Sequence, residues 1–341
     1  MFEMTALTAI ADPAIKFAGL VLVAEAVTRR IHRSAASSAH CVWLAVLATG
    51  LALPFIAWMT PATVRLEPSA GIASIVPAFV TSAPVIAGAA VAMALGTSWG
   101  IGRLVVGVTT IRRLIAASSE IVDGEGVEAG ARRLRVLASM QTRRAGRCRF
   151  AENHALAVPV TVGHWRPWIL LPNDWRTWPA PRLAAVMAHE GAHIDRGDYA
   201  IGVAGAVFRA LWWWHPAAWI VISRLHLTAE IASDARAAAI DSRADYASHL
   251  LDLAQAAGGQ RVRFGWTLGA TSRLRERVDA LLDDVPGTRR IGVTVRVALA
   301  AIAIAATCAA APVRISFTRS GDQRSASPFD HDLNHGVGHG H

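Results

Sequence analysis

Ala188-His189-Glu190-Gly191-Ala192-His193-Ile194-Asp195-Arg196-Gly197-Asp198 is the stretch from which the rest of this chain can be read. On a helix, residues four apart lie on one face, one turn above the other. His189 and His193 can therefore present two imidazoles to one metal ion, with Glu190 beside them as a general base for water. The run before it, Pro181-Arg182-Leu183-Ala184-Ala185-Val186-Met187-Ala188, is helical in pattern, with proline near the first turn. Such a pattern also arises by chance in alanine-rich helices, so its meaning rests on its surroundings.

A catalytic zinc takes three protein ligands and keeps one position open for water. Glu230, in Leu227-Thr228-Ala229-Glu230-Ile231-Ala232-Ser233-Asp234, is the candidate third ligand, in a stretch that reads as helix from Trp219 to about Ala239. Asp234 shares its face and can accept the free imidazole N–H of a ligand histidine, which fixes the tautomer and raises ligand basicity. The plainer alternative for both is a solvated helix face. The three cysteines, Cys41, Cys148 and Cys308, form no Cys-x-x-Cys pair, so histidine and carboxylate would have to hold the metal.

Of the 341 residues 53% are hydrophobic, and mean hydropathy is +0.35, too apolar for a typical soluble protein. Four segments are long enough to cross a hydrocarbon core of about 30 Å, which needs roughly 20 residues. They are 7–27, 39–59, 76–102 and 291–313. The first carries Asp12, Lys16 and Glu25 and lacks a basic stretch ahead of its apolar core, which favours a retained span over a signal peptide. Asp12 and Lys16 are spaced to pair with each other or, failing that, to let the lysine snorkel. Basic residues mark the cytoplasmic ends of spans. Arg29, Arg30 and Arg33 lie after the first, Arg103, Arg112 and Arg113 after the third, and Arg289 and Arg290 before the fourth. Residues 109–290 are thus expected in the cytoplasm and both termini outside. The net charge of +9 suits an anionic lipid surface, and no helix-turn-helix or zinc-finger pattern supports nucleic-acid binding.

The segment 199–222 tests the ligand set. A single crossing there would put Glu230 on the opposite side of the bilayer from His189 and His193, which metal–ligand bonds of about 2 Å forbid. His215-Pro216 offers a break, so two helices meeting in a bend and packed against or dipped into the cytoplasmic leaflet are expected. Trp212, Trp213, Trp214 and Trp219 suit that level. Trp165, Trp168, Trp175 and Trp178 fit either the same interface or an ordinary core. Before the motif, Val158–Val162 and Trp168–Leu171 are β-type runs separated by Gly163, His164 and Pro167, which predicts a small sheet on the metal helix. Trp168–Leu171 is the expected edge for adding an extended substrate peptide.

These stretches together resemble the BlaR/MecR-type integral-membrane zinc metallopeptidases, the antirepressor peptidases. The similar parts are Val158-Pro159 through Arg166-Pro167-Trp168-Ile169-Leu170-Leu171-Pro172, the motif from Ala188 to Asp198, Trp214-His215-Pro216-Ala217-Ala218-Trp219, Ala229–Ala235, and Tyr246-Ala247 with Leu250-Leu251. The resemblance implies a mainly α membrane protein: four transmembrane helices plus a cytoplasmic α+β gluzincin metallopeptidase domain with a small sheet. It implies one catalytic Zn2+ on His189, His193 and Glu230, with Glu190 as base. It also implies a signalling endopeptidase that cleaves itself or a winged-helix repressor. A housekeeping membrane protease and a non-catalytic zinc-stabilised scaffold are the rival readings. His215, His226, Arg224 and Tyr246 are candidates for the oxyanion donor, while Arg196 and Asp198 are expected to pin the end of the metal helix by charge pairing.

One departure matters. The penicillin-binding sensor domain of the best-known relatives needs Ser-x-x-Lys. Lys16 is the only lysine here, with Pro13 three residues before it, and residues 314–341 are too few for such a domain. β-Lactam sensing by this polypeptide alone is therefore not expected. The tail, with His331, His335, His339 and His341 among Asp and Gly, reads as a disordered extracytoplasmic segment or as an external metal sensor. Gly96-x-x-x-Gly100 would allow close helix packing, including in a homodimer.

Overall fold

A computed structural model describes residues 2–30, 36–59, 64–66, 83–122, 128–240, 242–257, 273–283 and 313–315. The protein is mostly helical, with a small four-stranded sheet. Helices α1 (Phe2–Arg30) and α2 (Ala36–Met59) are followed by strand β1 (Val64–Leu66) and the long helix α3 (Ala83–Ala116). Strand β2 (Ser119–Glu120), α4 (Glu128–Gln141), β3 (Arg149–Glu152), β4 (Val160–Val162) and β5 (Trp168–Leu171) come next. Then follow α5 (Ala180–Arg196), α6 (Asp198–Leu211), α7 (Pro216–Ala237), α8 (Arg243–Ala257), α9 (Leu274–Leu282) and β6 (Val313–Ile315).

Among the described residues, Ala36–Ile56 and Ala83–Ala116 are long and apolar enough to cross a membrane. In α1, Lys16 Nζ meets Asp12 Oδ2 at 2.6 Å, so these two charges pair with each other. The third span departs from its expected bounds. Residues 76–82 lie outside the described residues, and the helix seen from Ala83 continues past 102 to Ala116, since arginine ends an apolar run without ending a helix. At 1.5 Å per residue its 34 residues extend about 51 Å, well beyond the hydrocarbon. The surplus carries Ile111, Leu114 and Ile115 onto the sheet, where they pack with Ala151, Leu156, Val162 and Leu170. Of the expected fourth span, only Val313 falls within the described residues, and of the tail only Arg314 and Ile315; all three belong to β6, which pairs in parallel with β1.

The sheet order is β2-β3-β5-β4, with β3 parallel to β5 and the other pairings antiparallel. This corrects the expected edge: Trp168–Leu171 is bonded on both sides, and β4, residues Val160–Val162, is the end strand. Phe150, Ile169 and Leu171 on one face meet Leu183, Val186, Met187 and Ile194 of α5 and Leu134 and Ala138 of α4. Each such fully buried large side chain contributes roughly 1.5–3 kcal/mol. Trp175 and Trp178 belong to this core, whereas Trp165 is exposed.

Residues 199–222 do not run as one helix. The helix breaks between Leu211 and Pro216, where Trp212 to His215 form the bend. Proline fits at the start of α7 because its missing N–H is unpaired there anyway, and His215 caps the helix by accepting from the Ala217 N–H at 3.2 Å. Trp212 of the bend packs against Phe17 of α1, Phe208 of α6 and its neighbour Trp214, and the same cluster takes in Trp43, Val46 and Leu47 of α2. On its other side α3 comes close enough that a Cβ at Gly100 would lie 2.7 Å from Ala210 Cβ, and Gly96 faces the Trp213 ring. The Gly-x-x-x-Gly pair thus serves packing within the chain.

Candidate metal centre

Helix α5 brings His189 and His193 one above the other, and the rings stand edge to face with Nε2 atoms 3.1 Å apart. Glu230, near the middle of α7, places Oε2 at 3.7 Å from His189 Nε2 and Oε1 at 3.7 Å from His193 Nε2. One donor atom from each residue lies within 4.8 Å of the others. Ligands held about 2.0–2.1 Å from a tetrahedral ion are about 3.4 Å apart, so the three donors have the spacing of a shared metal.

The ring tautomers make the same point. His193 Nδ1 lies 2.6 Å from Asp198 Oδ2. His189 Nδ1 lies 3.1 Å from Asp234 Oδ1 and 3.0 Å from the Tyr246 hydroxyl. With both rings neutral and each Nδ1 proton given to its carboxylate, the two Nε2 lone pairs face each other, and a cation between them removes their repulsion. The residues fit a divalent metal with nitrogen and oxygen ligands.

Gly197 explains how Asp198 reaches His193. Its φ of +73° ends α5 in a left-handed turn, its N–H bonding the carbonyls of His193 and Ile194. The chain then starts α6 at a new angle, and the Asp198 side chain folds back. Arg196 donates to Asp198 at 2.6 Å, to the Ala229 carbonyl at 3.0 Å and to Ser233 Oγ at 2.5 Å, tying the end of α5 to α7. Burial opposes the Asp198 charge, but His193 and Arg196 outweigh it and hold its pKa well below the usual carboxylate range. Burial likewise disfavours the His193 imidazolium, yet the bond to Asp198 and the charge of Glu230 raise its pKa.

Glu190 is nearly buried at 7% exposure, and Thr161 of β4 donates to its Oε2 at 2.6 Å. The base is thereby fixed beside the end strand. Of the other residues singled out, Tyr246 is committed to Asp234 Oδ1 at 2.9 Å, Arg224 to Glu25 at 2.5 Å, and His215 to its capping role. His226 lines a cavity with Asp198. The residue that sequence reasoning missed is Arg277, on α9. Its Nη1 lies 3.0 Å from Glu230 Oε2, and its Nε and Nη2 hold Asp234. Burial opposes the charges of Glu230 and Asp234, and Arg277 heads the interactions that lower both pKa values. Thr161 carried no signal either, since its role depends on which strand lies at the edge.

The sequence profile of the BlaR1 peptidase M56 family matches residues 9–281. The chain belongs to that family. It is also 30% identical over 76 residues to regulatory protein BlaR1 of Bacillus licheniformis. That stretch is 22% of this chain and 13% of the relative, so the chain matches only a small part of the relative's length. A BlaR1-type peptidase family and two apolar helices together indicate a membrane protein.

Proposed function

We propose that this BlaR1-type protein is a membrane-embedded zinc endopeptidase, with its site on the cytoplasmic side, that transmits a signal by cleaving itself or a transcriptional repressor. The observation that carries the reading is the meeting of His189, His193 and Glu230, with Asp198 and Asp234 behind the two rings and the Glu190 carboxylate on the same helix. Imidazole with carboxylate is a donor set that suits zinc.

Bound zinc would polarise the scissile carbonyl and make water acidic enough to ionise near neutral pH. The chain's own residues do the rest. An extended peptide adds to the free side of β4, its main chain bonding as a further strand. Glu190, held by Thr161, takes a proton from water and returns it to the leaving amine nitrogen. Asp198 and Asp234 keep the imidazoles oriented throughout. The clustering of arginine at one end of the spans supports the sidedness. The β1–β6 pairing supports it too, since the loop after α2 and the segment at Val313 must share one side.

The test is Glu190→Gln in the full-length protein in membranes, read by zinc content and by processing of the chain itself and of a co-expressed winged-helix repressor. Zinc retained with processing lost is the expected result. Processing at the wild-type rate would overturn the reading.

A further inference from the structure

His40 stands in the second turn of the candidate spanning helix α2, 4% exposed, and packs on α7. Its Nδ1 is 3.2 Å from Thr228 Oγ1. The Thr228 hydroxyl already donates to the Arg224 carbonyl at 2.8 Å, so towards His40 it can only accept. His40 therefore carries its proton on Nδ1, and Nε2 is a bare acceptor.

That acceptor has no hydrogen-bond partner among the described residues. It lies 4.0 Å from Asp198 Oδ1, which is another acceptor. Beside the two is a cavity of about 30 Å³ lined by His40, Asp198, Gly202, Gly205, Leu225 and His226. A buried acceptor left unsatisfied is costly, and two acceptors can be joined only by something with two donors. A water molecule has them, and a polar cavity above roughly 10–15 Å³ can hold one.

We propose that a water in this cavity donates to both His40 Nε2 and Asp198 Oδ1, so that the spanning helix α2 helps to orient the metal ligand His193. Asp198 meets His193 through its other oxygen, Oδ2, at 2.6 Å. The sequence His40, water, Asp198, His193 thus joins a candidate spanning helix to a candidate metal ligand through hydrogen bonds alone. A shift of α2 along or about its axis moves Nε2, leaves Arg196 alone to hold Asp198 behind the ring, and loosens the ring. His40 is a positioning residue in this arrangement, touching neither metal nor substrate. The inference deepens the zinc reading given above, and its effect on metal retention rests on that reading.

Two measurements on the full-length protein test it. The first is nitrogen NMR of histidine-labelled, metal-free protein, with His40 assigned by comparison with His40→Asn. A proton on Nδ1 and a bare Nε2 are expected. Protons on both nitrogens would mean a direct ion pair with Asp198 and would overturn the bridge. The second is a double-mutant cycle of His40→Phe and Asp198→Asn, read as the rate of zinc loss to a chelator with the unfolding temperature as control. Support behind a metal ligand is worth about 10–100-fold in metal affinity, and His40, one step further out, is expected at the low end. In the Asp198→Asn background, His40→Phe should add little. Effects that multiply independently, or zinc loss unchanged in His40→Phe, would overturn the positioning role. If the wild type takes up no zinc, the metal reading fails, while the tautomer still decides the bridge.

Discussion

Arg277 grips Asp234 with two parallel hydrogen bonds of 2.7 Å, Nε to Oδ2 and Nη2 to Oδ1. Asp234 is wholly buried and stands behind His189, so this pair supports the metal site from behind that ring. Removing one partner of a buried pair leaves an uncompensated charge and costs about 3–5 kcal/mol. Arg277→Leu should lower the unfolding midpoint by a corresponding amount and weaken zinc retention. Arg277→Lys keeps the charge but loses the planar fork, and should fall between. A wild-type midpoint for Arg277→Leu would rule out this support.

The pH dependence has a defined sign. His193 has its pKa raised above the ordinary 6.5 because the Asp198 bond and the Glu230 charge overcome burial. In the metal-free protein its contribution is full below 6.5 and is lost as pH rises through the raised native value. Zinc needs the neutral ring, so its affinity climbs over the same window. The gap in unfolding temperature between zinc-loaded and metal-free protein should therefore widen as pH rises. A gap independent of pH would contradict it. Asp234 acts at the other extreme: its stabilisation is present above 3.8 and is lost as pH falls through its lowered native value.

Thr161→Val removes the hydroxyl that holds Glu190 and leaves β4 otherwise intact. Hydrogen bonds to charged groups are worth about 1.5–3 kcal/mol, and 1.4 kcal/mol is about tenfold in rate. Zinc content should stay at the wild-type level while kcat for a peptide or for self-processing drops at least about tenfold. Loss of zinc with an unchanged rate per bound metal would assign Thr161 to the fold alone.

The α3–α6 contact offers a paired test. A methyl at Gly100 would meet the Ala210 Cα at 2.8 Å, and backbone cannot swing aside. A methyl at Gly102 meets nothing within 4 Å. Overpacking costs about 1–3 kcal/mol, so Gly100→Ala should destabilise the detergent-solubilised protein by that order and Gly102→Ala should not. Equal unfolding temperatures for the two would contradict the packing.

Much of the site can be read from spacing. His189, His193, Glu230 and Asp234 follow helical periodicity, a local property, and metal geometry demanded a reversal between them that the bend at Trp212–His215 provides. Arg277 could not be read in that way. It lies in a short helix with Arg275, Glu276 and Asp279, a composition that suits a solvated surface, and only the folding of α9 onto α7 buries it. The strand order escaped for a related reason. Val160–Val162 and Trp168–Leu171 are similar in character, and which one is flanked on both sides depends on β3, a partner remote in the chain. The reach of α3 was hidden because hydropathy registers the end of the lipid, not the end of the helix.

The aromatic cluster at the bend draws on α1, α2, α6 and α7 together, and α7 is the helix that holds Glu230. Among the described residues there is accordingly no seam along which the helices of the metal site could be cut free. A fragment trimmed to look soluble would lose the wall against which a metal-bearing helix is braced, and an assay on it would probe a different object.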